Sequence, residues 1–338
     1  MIRVLFLLFL FFSIQISICK AQTDSLIFEN GDKMVGELKN MEYGVIVMKT
    51  NYSDSDFKIE WDGIDQIFSS TLFLITISDG TRYIGYLFSM PDKRIRITDE
   101  YGIIFYENID DIVFLKSLEL GILSRVSASI DLSLSVIKAN NLTQLNTRNT
   151  LGYVAKRWSI DTYYNTLVSV QDSVSDTKRI DSNINYRWFL PNDWYLPANA
   201  TFLSNNEQNL RLRVIGSLGV GKYLIHQNTF YWGINIGISF VQERFTTSDP
   251  DQQSWEGYAG MELNLFDIKD IKLQTILFVY PGLTEQGRLR SDFSFDLKYD
   301  LPKDFYFRLG LSLNYDSRPI EGGSQTDYVF TTGFGWEW

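Results

Sequence analysis

Residues 326–338 read TDYVFTTGFGWEW, and their alternation sets the fold class for the larger part of the chain. Tyr328, Phe330, Thr332, Phe334, Trp336 and Trp338 fall on one face; Val329, Thr331, Gly333, Gly335 and Glu337 fall on the other. A period of two with one apolar face marks a half-buried strand, because successive side chains of an extended backbone point to opposite sides. The preceding segment repeats the pattern, with Phe305, Phe307, Leu309, Leu311 and Leu313 against Tyr306, Arg308, Gly310, Ser312 and Asn314. Before it, Leu289, Phe293, Phe295, Leu297 and Tyr299 oppose Arg290, Asp292, Ser294, Asp296 and Lys298.

The same alternation, split by polar turn clusters, runs back to residue 119. It predicts twelve strands, near 122–138, 143–156, 158–171, 178–189, 194–204, 209–224, 229–244, 254–265, 271–280, 288–299, 304–315 and 326–338. Three features favour a membrane barrel over a soluble sandwich. Several segments reach the length that a tilted spanning strand needs. The polar face carries charge at mid-strand, which a hydrated lumen accepts and a dry core does not. Trp158, Trp188, Trp194, Tyr195, Tyr231, Trp232, Phe305 and Tyr306 stand near strand ends, where aromatic rings suit the headgroup level. Phe334, Trp336 and the terminal Trp338 read as a membrane-insertion signal, which implies the barrel-assembly machinery as a partner during insertion and outer-membrane lipid afterwards.

The N-terminus reads as export machinery. Arg3, the apolar run of residues 4–18 and the small residues Cys19 and Ala21 form a signal peptide over 1–21. The run is too short for a spanning helix. The chain has 338 residues, one cysteine, one histidine and a net charge of -10. The cysteine lies inside the signal, so the exported part has no thiol for a disulfide, a nucleophile or a metal site. The acidic balance argues against nucleic acid. The single histidine, His226, sits in a predicted short periplasmic turn, far from the outer leaflet where lipid substrates are worked on, which disfavours lipase-like chemistry. The expectation is a non-enzymatic protein with no cofactor and no metal.

Residues 22–118 carry an internal repeat. Residues 30–38 read NGDKMVGEL and residues 79–87 read DGTRYIGYL, an offset of 49. Asn-Gly and Asp-Gly favour hairpin turns, because both turn positions tolerate positive φ. The repeat predicts two small, strongly bent SH3-like or Sm-like β modules packed together. Their expected role is structural or partner-binding. The whole chain is therefore expected to be all-β: a 12-stranded antiparallel transmembrane β-barrel over 119–338, preceded by this repeated domain. An even strand count returns the chain to its starting side, which places 22–118 in the periplasm, where it would meet an envelope protein partner.

Alternation turns Arg179, Asp181, Arg187, Arg211, Arg213, Glu243, Arg288, Arg290, Asp292, Asp296, Lys298, Arg308 and Asp316 into the lumen. Such a mixed set serves either as a salt-bridged interior or as the lining of a polar path or pocket.

Several stretches together resemble the salt-induced outer-membrane-protein family, whose biochemical function is uncharacterised. They include residues 28–32 (FENGD), 59–61 (IEW), 151–153 (LGY), 156–158 (KRW), 206–208 (NEQ) and 210–213 (LRLR). Residues 221–223 (GKY), 243–245 (ERF) and 280–281 (YP) and the final strand complete the set. The resemblance implies an outer-membrane location and a link to salt or osmotic response. It singles out Arg211, Arg213, Glu243, Arg244 and Tyr280 as family features. Two functions follow as expectations: an envelope scaffold or narrow channel with a periplasmic interaction domain, or a barrel that binds or modifies lipid or glycan at its extracellular mouth.

Overall fold

The computed structural model describes residues 24–118, 122–138, 141–172, 175–206, 210–246, 251–268, 270–318 and 325–336. The expected signal peptide and Trp338 lie outside these residues. The N-terminal part contains β1 (Asp24–Phe28), β2 (Lys33–Glu42), β3 (Val45–Lys49), β4 (Phe57–Glu60) and β5 (Ile64–Phe68), then β6 (Phe73–Ile77), β7 (Arg82–Ser89), β8 (Arg94–Asp99), β9 (Ile104–Asn108) and β10 (Ile112–Ser117). A single 3-10 turn precedes β5 and another precedes β10.

The repeat is structural. In both copies a side chain fixes the first turn: the Asp32 amide donates to Asn30 Oδ1 at 2.9 Å, and the Thr81 amide donates to Asp79 Oδ1 at 2.8 Å. The second turns also correspond. Tyr43 and Gly44 have positive φ, as do Asp92 and Lys93, the pattern of a two-residue hairpin. The core is duplicated residue by residue, with Leu26 matching Ile75, Leu38 matching Leu87, Ile46 matching Ile95 and Met48 matching Ile97. Trp61, Ile64 and Ile67 match Ile109, Ile112 and Leu115, all buried in the same cluster. The Trp61 indole donates to Ile109 O at 3.1 Å and so ties the two copies together.

The copies nevertheless do not form two modules. The strands run β1-β5-β7-β6-β10-β2, and β2 pairs back onto β1. This is one closed six-stranded barrel, and each copy contributes three strands. β5 of the first copy pairs with β7 of the second, and β10 of the second pairs with β2 of the first. Closure thus requires both copies, since a half-length copy buries too little core to stand alone. The β3–β4 and β8–β9 hairpins extend from this ring.

The C-terminal part is a meander of twelve strands: β11 (Val126–Ile137), β12 (Leu142–Val154), β13 (Trp158–Val170), β14 (Thr177–Phe189), β15 (Trp194–Asn205), β16 (Leu210–His226), β17 (Phe230–Phe245), β18 (Gln252–Ile268), β19 (Ile271–Pro281), β20 (Leu289–Leu301), β21 (Phe305–Asp316) and β22 (Thr326–Trp336). Each pairs antiparallel with its sequence neighbour. Among the described residues no pairing joins β11 to β22. Both edge strands are open on both faces, as the adjacent Val329 (61% exposed) and Phe330 (57%) show.

The structure therefore reverses the expected arrangement. The closed barrel is the N-terminal domain, and the 12-stranded sheet is open rather than a closed transmembrane β-barrel. The reason is that alternation is the same in an edge strand and an inner strand, so it carries no information about closure. The placement of 22–118 in the periplasm rested on a closed 12-stranded barrel above it, and it falls with that premise.

The large sheet is strongly curled. Ser127 on β11 and Glu262 on β18 line one cavity, and Arg179 on β14 and Asp327 on β22 line another. Strands seven or eight places apart reach a common space only if the sheet wraps around it. The small barrel is seated at one end of this wrap. Tyr43 packs on Phe266 with ring centroids 4.5 Å apart, the Asn228 side chain donates to Asp110 O at 3.2 Å, and Arg82 Nη1 donates to Ala155 O at 3.3 Å.

Gly80 is the tightest point of this seat. Its φ is +83°, and a Cβ there would lie 2.5 Å from the Asp193 amide nitrogen. Gly80→Ala is expected to cost roughly 1–2 kcal/mol from the left-handed backbone alone, with the docking displaced in addition. Hydrogen exchange should quicken at the Tyr223 amide, which bonds Asp193 O at 3.0 Å, while the small-barrel core stays protected.

Candidate functional site on the inner face of the large sheet

Among the described residues, three cavities lined by charged residues lie on the inner face, and one of about 490 Å3 takes Asp296, Lys298 and Arg308 beside Lys272 and Glu262. The far cavity, about 370 Å3, gathers most of the charged residues that alternation turns inward. Arg179, Arg213, Glu243, Arg288, Arg290 and Asp292 all line it. Nearly every guanidinium here has a carboxylate. Arg213 bonds Glu243 across the β16–β17 pair. Arg288 bonds Asp316 at 2.7 Å and Glu285 at 2.8 Å. Arg290 makes a forked pair with Glu256, at 2.9 and 2.8 Å, over the Tyr280 ring at 5.0 Å. Arg179 lies 3.4 Å from Asp181. Arg213–Glu243, Arg288–Asp316 and Arg290–Glu256 form a cross-strand clamp, whereas Arg179–Asp181 lies within β14 and Arg288–Glu285 within the loop before β20.

Other sequence-predicted residues do not join it. Arg211 is exposed, at a register shift where β16 meets β17. Arg244 pairs loosely with Asp251 at 3.5 Å, both about half exposed. Arg308 is exposed, lies 5.7 Å from the Tyr306 ring and lines a different cavity, with Asp296 and Lys298. Phe334 stacks on Phe305 at 5.3 Å, and the Trp336 indole donates to Lys303 O at 3.2 Å.

On the same face the Tyr195 and Tyr223 rings pack at a tilt with centroids 5.0 Å apart, and Tyr258 packs near Phe278 and Tyr280. Glycines make room for these rings: Tyr195 lies over Gly221, and Tyr258 over Gly219 and Gly237.

The near cavity, about 510 Å3, lies at the junction with the small barrel. Arg187 is here rather than in the clamp. Its Nη1 donates to Tyr223 OH at 2.9 Å, and its guanidinium lies 5.2 Å from the Tyr195 ring. Arg82 enters from the small barrel. It donates to Thr76 Oγ1 at 3.1 Å and lies 4.0 Å from the Phe189 ring centre. Burial pushes the Arg82 guanidinium down to about 10, and the Arg187 charge pushes it the same way. His226 bonds Asp193 at 2.7 Å and stacks against Tyr223 at 4.8 Å. Sequence reasoning missed Arg82, which reads as an ordinary charge next to a turn. It also took His226 for a plain turn residue. Nothing local signals that two distant turns meet there.

A family model described as "Protein of unknown function, DUF481" matches residues 130–338. No curated protein matches the chain. Among solved structures, a NanC porin is similar at 11% identity and a TM-score of 0.36, over 63% of this chain and 99% of that chain.

Proposed function

The chain belongs to the DUF481 family of proteins of unknown function, and we propose that it is a non-enzymatic outer-membrane β protein that acts as an envelope scaffold under salt or osmotic load. One observation carries this reading: the large sheet is inverted relative to a soluble protein. Its inner face holds paired arginines and carboxylates, whereas its outer face shows Ile130 (83% exposed), Leu132 (71%), Leu218 (63%) and Ile236 (59%). An apolar surface of that extent is costly in water and favourable against lipid. The clamp ties strands together across the inner face, which favours a scaffold over a channel. The small barrel is the part suited to an envelope protein partner. Tyr52 (94% exposed) and Tyr101 (86%), 49 positions apart, stand at corresponding places in the two copies. In hydrocarbon the free edge groups of β11 and β22 need partners, so the reading requires those edges to be covered by protein in the membrane.

Cysteine labelling tests it. In a Cys19→Ser background in lipid nanodiscs, Leu132→Cys and Ile236→Cys should resist a water-soluble maleimide, and Tyr52→Cys should react fully. Equal labelling of all three positions would remove the lipid-facing assignment.

A further inference from the structure

The far and near cavities are built from the same residue types but are balanced differently. In the far cavity Arg213, Arg288 and Arg290 are each held by a carboxylate. In the near cavity, among the described residues, neither Arg82 nor Arg187 makes an ion pair within 4.0 Å. Arg82 spends two of its five N–H groups, on Thr76 Oγ1 and Ala155 O. Arg187 spends one, on Tyr223 OH. The aromatic rings beneath them, Phe189 and Tyr195, support the cations without neutralising them. A partly buried guanidinium with unused donors calls for an anion, and two of them open onto one space.

We propose that this junction cavity binds a small organic anion, its carboxylate or phosphate held between Arg82 and Arg187. The planar fork of each guanidinium suits a two-point contact with either group. Tyr223 accepts from Arg187 and keeps its own hydroxyl proton to donate to the ligand. The volume, about 510 Å3, is that of a site for a small metabolite, and the aromatic walls would cover its apolar or sugar face. Glu42, Asp161 and Glu262 also line the walls, which favours a ligand of low charge over a polyanion. Because Arg82 comes from the small barrel and Arg187 from the large sheet, the ligand would bridge the two domains. The site does not depend on the lipid-facing assignment.

The test uses the whole chain in detergent micelles, titrated calorimetrically with galacturonate, inorganic phosphate and neutral galactose. Saturable binding of galacturonate or phosphate, with none of galactose, is expected, and which anion binds tells a carboxylate site from a phosphate site. Arg82→Gln and Arg187→Gln should each weaken it about tenfold or more, the loss of charge-assisted hydrogen bonds. A second measurement needs no variant. Phenylglyoxal modification of the unaltered protein, read by peptide mass spectrometry, should be slowed at Arg82 and Arg187 by the binding anion. It should not be slowed at the exposed Arg211. Binding that both variants leave unchanged, unaltered modification of the two arginines, or no saturable binding of either anion would overturn the proposal.

Discussion

Phe73→Ala is expected to lower the stability of the small barrel by about 3–5 kcal/mol, the usual cost of deleting a buried aromatic ring and leaving a cavity. Phe73 is fully buried and is among the largest side chains in the core. It sits on β6 opposite Gly85 of β7 and Ser117 of β10, two neighbours that belong to one copy. Its cluster also includes Leu26, Leu38, Ile46 and Ile67 of the other copy. The loss should therefore reach both copies at once, and chemical denaturation should show a single transition at a lower midpoint. Two separate transitions would mean that the copies fold independently, against the interleaved ring.

Glu256→Ala should be of similar size in the large sheet, about 3–5 kcal/mol, because it leaves a buried guanidinium without its partner. Glu256 is 2% exposed and Arg290 21%, and among the described residues Glu256 is the carboxylate that pairs with Arg290 within 4.0 Å. The paired replacement Glu256→Leu with Arg290→Met should recover most of the loss, since removing both charges also removes both desolvation penalties. Resistance of the folded sheet to heat denaturation in detergent reads this cycle. The exposed pair Lys39–Asp56, at 36% exposure on each side, provides the contrast. Lys39→Ala should change stability by about 1 kcal/mol or less.

Much of the strand layout was readable in the sequence, and the physical reason is local. A strand with one apolar face declares itself within its own residues, so the segment expected at 178–189 is found as Thr177–Phe189 and that expected at 304–315 as Phe305–Asp316. The repeat was readable for the same reason, through the turn residues that fix Gly31 and Gly80. Partnership between distant strands was not readable. An offset of 49 says that two units are alike, but not that β5 leaves its own copy to pair with β7. Likewise β11 and β22 alternate as an inner strand would, and their openness is visible only in the assembled sheet.

The site divides along the same line. Arg213 and Glu243 could be placed together, because both alternate inward on adjacent strands. Arg187 shares their periodicity yet lies in another cavity, since period two fixes the side of a sheet and not the height along it. Arg82 and the His226–Asp193 pair depend on turns brought together by docking, which no single segment encodes.

The two sheets also differ in how far along the chain each strand must look for its partner, and this sets an order of assembly. Every pairing in the large sheet joins consecutive strands, so it can zip up hairpin by hairpin as the chain becomes available. The small barrel closes only when β10 reaches β2, with Leu115 opposite Met41, a loop of more than half the domain. Contacts that close long loops form slowly, because the chain loses the entropy of the loop before the contact repays it. The domain that is first in the sequence cannot complete its ring until its own last strand has emerged, and the seat for the large sheet at Gly80 and Tyr43 is not in place before then.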